Sequence, residues 1–148
     1  MIDIRKIDSD KHRYLDILLI ADPSEEAIEK YLNDSDVFVM FDDGEPVCAA
    51  AVLEISNDTC ELKNIAASVL RKGYGSKMLG WLFDYYKGKF AYMEVGTGNS
   101  SVGNIKFYER NGFSITHTIE NFFIDNYDEP IFEDGVQCKH MVMLKKTL

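Results

Sequence analysis

Hydrophobic positions along this chain fall into two rhythms, one of period two and one of period three to four, and the switches between them outline its elements. Ile2, Ile4 and Ile7 mark a first strand, and Tyr14, Leu15, Leu18, Leu19 and Ala21 follow at helical spacing. Asp22-Pro23-Ser24-Glu25 has the form of a capping box with proline at the first helical position, ahead of a helix that buries Ala27, Ile28, Tyr31 and Leu32. Val37 to Phe41 and Val47 to Ile55 read as strands joined through Asp42-Asp43-Gly44-Glu45-Pro46, and Asn57-Asp58 turns the chain into a third strand, Thr59 to Ala66. Helix-spaced Tyr74, Met78, Leu79, Leu82, Phe83 and Tyr86 come next, then a strand from Phe90 to Val95. A Gly/Ser-rich loop, Gly96 to Gly103, leads into a short helix that stops at Asn111-Gly112. Strands Phe113 to Ile119 and Val136 to Leu144 close the chain around an acidic loop. The order predicts a mixed α/β sheet.

Length and composition narrow this further. At 148 residues, with 46% hydrophobic residues and only three prolines, the chain suits one globular domain spanning residues 1–148. The longest apolar stretch, Ile17 to Ala21, is far too short for a bilayer, and no signal-like core opens the sequence, so a cytoplasmic protein is expected. Cys48, Cys60 and Cys138 are odd in number and widely spaced, which points to reduced, buried thiols. Cys138 and His140 share a strand face by period two, yet two ligands alone make no zinc site, so no metal is expected. A formal charge of −9 repels polyanions over most of the surface and makes nucleic acid a poor partner.

Against that acidic background the segment Asn64 to Lys77 stands out. It joins an apolar strand to an amphipathic helix through a short basic turn with two glycines, Gly73 and Gly75, and carries Arg71, Lys72 and Lys77. Amides at a helix start have no partner inside the helix, and the macrodipole adds partial positive charge there, so the junction suits an anion. It lacks the spacing of a P-loop and the third glycine of a dinucleotide fingerprint.

Strand, basic glycine turn, helix, strand, and then Asn104-Ile105-Lys106-Phe107-Tyr108-Glu109-Arg110-Asn111-Gly112-Phe113 together resemble the GNAT superfamily of acyl-CoA-dependent N-acetyltransferases, over nearly the whole chain in element order. The resemblance implies a mixed, mostly antiparallel central sheet of about seven strands flanked by about four helices. It implies acetyl-CoA as co-substrate, its pyrophosphate gripped around Arg71, Lys72, Gly73, Tyr74, Gly75 and Ser76, and its pantetheine arm paired with the backbone of Ile65, Ala66 and Ala67. It also places Tyr108 near the thioester sulfur as general acid, and Glu61 where many members carry a base. Two departures from the family pattern concern the cofactor. Leu70 stands where glutamine or arginine is usual, in a turn about two residues short, and Ser101 replaces a common asparagine, with Asn99 and Asn104 nearby to take its polar role.

Amine acylation sets its own demands. Presenting the neutral form of a lysine-like amine at pH 7 costs on the order of 4–5 kcal/mol, so a base or a desolvated pocket is required. Between Glu120 and Asp134 lie six carboxylates (Glu120, Asp125, Asp128, Glu129, Glu133, Asp134) and no Lys or Arg, interleaved with Phe122, Phe123, Tyr127 and Phe132. In the family this connection often borders the acceptor site, so Tyr127, Asp128 and Glu129 are expected to receive a small cationic amine; a solvated loop or a homodimer contact is the alternative. The expectation is direct transfer in a ternary complex to a polyamine, aminoglycoside, amino acid or peptide amine. Its rivals are a non-catalytic acyl-CoA-binding regulatory module and an interaction protein that uses the acidic loop.

Overall fold

A computed structural model describes all residues, Met1–Leu148. The elements in chain order are β1 (Ile2–Ile7), a 3-10 turn (Lys11–Tyr14), α1 (Leu15–Ala21), α2 (Glu25–Glu29), β2 (Asp36–Asp42), β3 (Glu45–Glu54), β4 (Thr59–Ala67), α3 (Tyr74–Tyr86), β5 (Tyr92–Gly98), α4 (Val102–Arg110), β6 (Ser114–Ile119), α5 (Phe122–Asn126), β7 (Ile131–Glu133), β8 (Val136–Cys138) and β9 (Met141–Thr147). A seven-stranded sheet has the order β1-β2-β3-β4-β5-β9-β6, and β7 and β8 form a separate hairpin. Only β4 and β5 run parallel, because α3 carries the chain back between them; the other neighbours are antiparallel.

Both faces of the sheet are covered, which explains the near-continuous apolar runs in β2 and β3. On one face Phe38, Met40, Cys48, Ala50 and Val52 pack with Met78, Leu79 and Leu82 of α3 and with Tyr108 of α4. On the other, Val37, Val39, Ala49 and Ala51 pack with Ile17 and Leu18 of α1 and with Ile28, Tyr31 and Leu32. Phe38 lies edge-on to Trp81, Tyr85 and Tyr86 at 5.2–6.0 Å between centroids, fixing α3 on the sheet. No helix is long and apolar enough to cross a membrane.

Four sequence expectations need correction. The cap of α2 is Ser24, whose Oγ accepts from the Ala27 amide at 3.1 Å, so Pro23 precedes the helix instead of opening it. The α2 helix stops at Glu29, and Tyr31 and Leu32 are buried from the turn that follows. The loop expected at Gly96 to Gly103 shrinks to three residues, because pairing with β9 holds β5 extended to Gly98 and α4 starts at Val102. The strand expected over Val136 to Leu144 is broken at Lys139-His140, where Asn99 Oδ1 accepts both backbone amides at 3.0 and 2.9 Å and bends the chain.

Candidate active site

The parallel pairing of β4 with β5 runs from Thr59↔Tyr92 only to Leu62↔Val95. Beyond it β4 stays with β3 through Ala67, and β5 stays with β9 through Gly98, so the two strands part. A β-bulge sits at the parting: Val52 pairs with Leu62 and Ala51 with Asn64, leaving Lys63 without a partner. The extra residue shifts the faces, so that Leu62 and Ile65 meet the α3 side while Asn64 and Ala66 meet the α1 side.

The parting opens a cleft of about 560 Å³. One wall is β4 from Leu62 to Ala67, the opposite wall is Val95 to Gly98, and α4 contributes Asn104, Phe107 and Tyr108. Because the Ser68 amide bonds the Val47 carbonyl at 2.9 Å, strand alternation turns the backbone of Ala66 toward β3 and that of Ile65 and Ala67 toward the open edge. Of the three residues expected to pair with an extended ligand, Ile65 and Ala67 therefore have free donors and acceptors. Ala66 supplies only its methyl, because its amide belongs to the sheet.

Past Leu70 at the mouth of this cleft, Arg71 (φ 63°) and Gly73 (φ 73°) both take left-handed backbone and fold the chain into the start of α3. A left-handed N-cap is where glycine is needed. No side chain caps this end, so the first-turn amides are unpartnered within the protein, with exposed Arg71 and Lys72 beside them. Gly75 serves packing instead: a Cβ there would lie 3.0 Å from Phe107 Cζ, so its bareness lets α3 approach α4. The Tyr74 side chain points away, its hydroxyl donating to Asp42 Oδ2 at 2.6 Å, which leaves this residue only its amide for a ligand. Ser76 Oγ is tied to Asn111 Nδ2 at 3.4 Å.

Tyr108 is 8% exposed, its ring held edge-on by Phe107 and Phe113. Its hydroxyl faces the cleft and has no hydrogen-bond partner in the protein, and burial pushes the phenol well above its ordinary value, which keeps it protonated. Asn104, seven residues from Thr97, reaches its Oγ1 at 3.5 Å on the cleft wall, and Ser101, also in the wall, donates to Glu133. Asn99, by contrast, lies outside the cleft, because its side chain is consumed by the bend at Lys139-His140.

The expected base is displaced as well. Glu61 lies before the parting, outside the cleft wall, with its carboxylate on Lys63 Nζ at 3.1 Å. Tyr127 does line the cleft, and its hydroxyl donates to both oxygens of Asp22, at 3.1 and 3.2 Å. Asp128 and Glu129 line instead an adjoining open groove of about 660 Å³ between α2 and the segment from Asp125 to Ile131, which also holds Glu26, Asp125 and a single cation, Lys30. Pro23, Tyr127 and Ile131 border both spaces, so the acidic groove opens onto the cleft. Asp22 itself escaped the sequence reading because Asp-Pro-Ser looked like a helix cap; Ser24 takes that task and leaves the Asp22 carboxylate to the cleft.

His140 Nδ1 accepts from the Asn121 amide at 2.9 Å, Cys138 is buried, and no group of three or more His, Cys, Asp or Glu side chains is arranged to hold a metal ion.

The geometry can be set beside known proteins. The model of the acetyltransferase (GNAT) family matches residues 3–113. The uncharacterized N-acetyltransferase YvbK of Bacillus subtilis (strain 168) is 36% identical over 132 residues, 87% of this chain and 85% of that protein. A crystal structure of a GNAT family acetyltransferase from Elizabethkingia anophelis with acetyl-CoA bound superposes with a TM-score of 0.95 at 35% identity, covering 99% of this chain and 98% of that one. A Bacillus subtilis acetyltransferase in complex with CoA gives 0.90 at 32% identity, over 100% and 99% of the two chains.

Proposed function

The chain belongs to the GNAT family of acetyltransferases, and from that premise we propose that it moves an acetyl group from acetyl-CoA directly onto a primary amine of a small cationic acceptor, in a ternary complex. The carrying observation is the cleft between β4 and β5, which has an uncapped helix start past one mouth and an acidic groove at the other, with the unpartnered Tyr108 hydroxyl on its wall. The residues present suit the co-substrate. A diphosphate matches the first-turn amides of α3 with Arg71 and Lys72, and an amide-bearing arm matches the open edge at Ile65 and Ala67. Acetyl-CoA bound there supplies the activated acyl group.

The chain's own residues then do the rest. Strand pairing and the phosphate grip fix the position of the reacting carbon, the contribution for which orientation effects are largest. Tyr108 donates its hydroxyl proton toward the leaving sulfur. A thiol of reference pKa about 8.5 is a stronger acid than a phenol near 10, so full transfer from a phenol raised further is uphill by more than about 2 kcal/mol. The phenol therefore acts as a relay, refilled from the acceptor nitrogen, and not as a standing acid. The groove's Glu26, Asp125, Asp128 and Glu129 against one Lys30 favour an acceptor carrying positive charge.

Thermal melting with acetyl-CoA and thiol release with a panel of amines test this reading. A ligand at 100 times its dissociation constant adds about 2.7 kcal/mol, so melting is expected to rise clearly. No shift at saturation overturns the enzyme reading, and a shift without acetylation of any amine makes the chain an acyl-CoA-binding module.

A further inference from the structure

One carboxylate in the cleft wall has no cationic partner and keeps free lone pairs. Asp22 follows α1, is half-buried, and lines the same cavity as Tyr108. Its Oδ1 accepts from the Ser24 amide at 3.1 Å and from the Tyr127 hydroxyl, while Oδ2 accepts only the same hydroxyl at 3.2 Å. No Lys or Arg comes within ion-pair distance of it. A carboxylate oxygen with lone pairs to spare, held by two donors that fix its plane, is aimed rather than tied up. The other carboxylates near the cleft differ: Glu133 is exposed and accepts from Ser101, and Glu61 is held by Lys63 outside the wall.

We propose that Asp22, oriented by Tyr127, receives the acceptor's ammonium in the cleft and takes its first proton; the assignment rests on the acetyltransferase reading above. The charged and titratable groups facing Asp22 are Lys63 from β4, Tyr31 from the turn after α2, and Tyr127 from the segment after α5. Burial raises the carboxyl above its ordinary value, which makes it a better base near neutrality, while the Ser24 amide, the Tyr127 hydroxyl and the Lys63 charge pull the other way. In the step, the ammonium gives one proton to Asp22, and the freed nitrogen lone pair forms a bond to the thioester carbonyl carbon. The carbon–sulfur bond breaks with its electron pair going to sulfur. The second nitrogen proton reaches sulfur through the Tyr108 hydroxyl, and Asp22 releases its proton to water.

The pH profile of kcat/KM for 1,4-diaminobutane, at saturating acetyl-CoA and amine below its KM, distinguishes this from a structural role. With Asp22 as acceptor of the proton, the wild type takes the ammonium form and is flat between about pH 7 and pH 9. Asp22→Asn must wait for the neutral amine, so its activity rises about tenfold per pH unit over the same range, toward wild type at high pH. Tyr127→Phe removes a bond that favours the charged carboxylate and shifts the acid limb to higher pH, a change that a purely structural Tyr127 would not produce. A flat profile in Asp22→Asn, with turnover intact in the wild type, overturns the assignment and spares the function. A wild type that neither melts higher with acetyl-CoA nor releases thiol overturns the function instead. Where acetyl-CoA binds but the probe is not acetylated, carbon-13 titration of Asp22, identified by its loss in Asp22→Asn, decides. Addition of the diamine to the CoA complex must lower the Asp22 midpoint, and an unmoved midpoint overturns the assignment.

Discussion

Replacing Tyr108 by phenylalanine separates chemistry from packing, because here the two carry opposite signs. The ring sits edge-on to Phe107 and Phe113 with centroids 5.3 and 5.6 Å away, and phenylalanine keeps both contacts. The hydroxyl has no protein partner, so removing it breaks no bond in the free enzyme. An unpaired hydroxyl sealed in apolar surroundings costs about 1–3 kcal/mol by mutational data. This one opens onto the cleft and is partly relieved, so the variant gains about 0–1 kcal/mol, a melting rise of at most roughly 2–4 °C for a chain of this size. Turnover moves the other way, falling by about 10²–10⁴ as a positioned proton donor is lost, which is roughly 3–5 kcal/mol of barrier. Acetyl-CoA affinity stays within about twofold, since the ring still shapes the wall. The assays are thiol release at saturating acetyl-CoA, thermal melting of the free enzyme, and calorimetric titration with CoA. A variant that melts lower while turning over at the wild-type rate refutes the reasoning and returns Tyr108 to the core.

Two further outcomes follow from other parts of the molecule. Arg71→Ala combined with Lys72→Ala leaves the first-turn amides of α3 in place but removes the flanking charge; acetyl-CoA binding weakens about five- to hundredfold and becomes less sensitive to salt, with kcat at saturation unchanged, as calorimetry over a salt series checks. Unaltered affinity would make the basic turn ordinary surface. Burial pushes the thiols of Cys48 and Cys60 up to about 12 from 9.0, so the folded chain keeps protons that the unfolded chain gives up above about pH 9. The unfolded state then binds fewer protons, and stability falls as pH rises from about 9 toward 12, a slope that denaturant midpoints reveal and that Cys48→Ala with Cys60→Ala flattens.

The order of elements was readable from the chain because its signals are local. The apolar runs at Val37 to Phe41 and Val47 to Leu53, the helical spacing from Tyr74 to Tyr86, and the turn at Asp43-Gly44 each settle their own conformation within a few residues. The misreadings share a cause too. Asp22 and Ser24 both suit a helix cap, and only the packing of α1 and the reach of Tyr127, 105 residues away, determine that serine caps while aspartate faces the cleft. Asn99 and Tyr74 carry polar groups at positions that suggest a ligand, yet long-range partners, the amides at Lys139-His140 and the Asp42 carboxylate, consume them. The break before β9 at Lys139-His140 hangs on that same distant bond.

Local chemistry alone therefore determined the order of strands and helices, that the helix start after Gly73 is open to an anion, and that Tyr108 sits on a helix. Tertiary structure decided where β4 leaves β5, because the bulge at Lys63 and the pull of β9 on β5 are pairings between strands distant in sequence. It also decided which acids face the resulting space: Asp22 enters and Glu61 does not, since a side chain's direction depends on register and on partners that no neighbouring residue encodes.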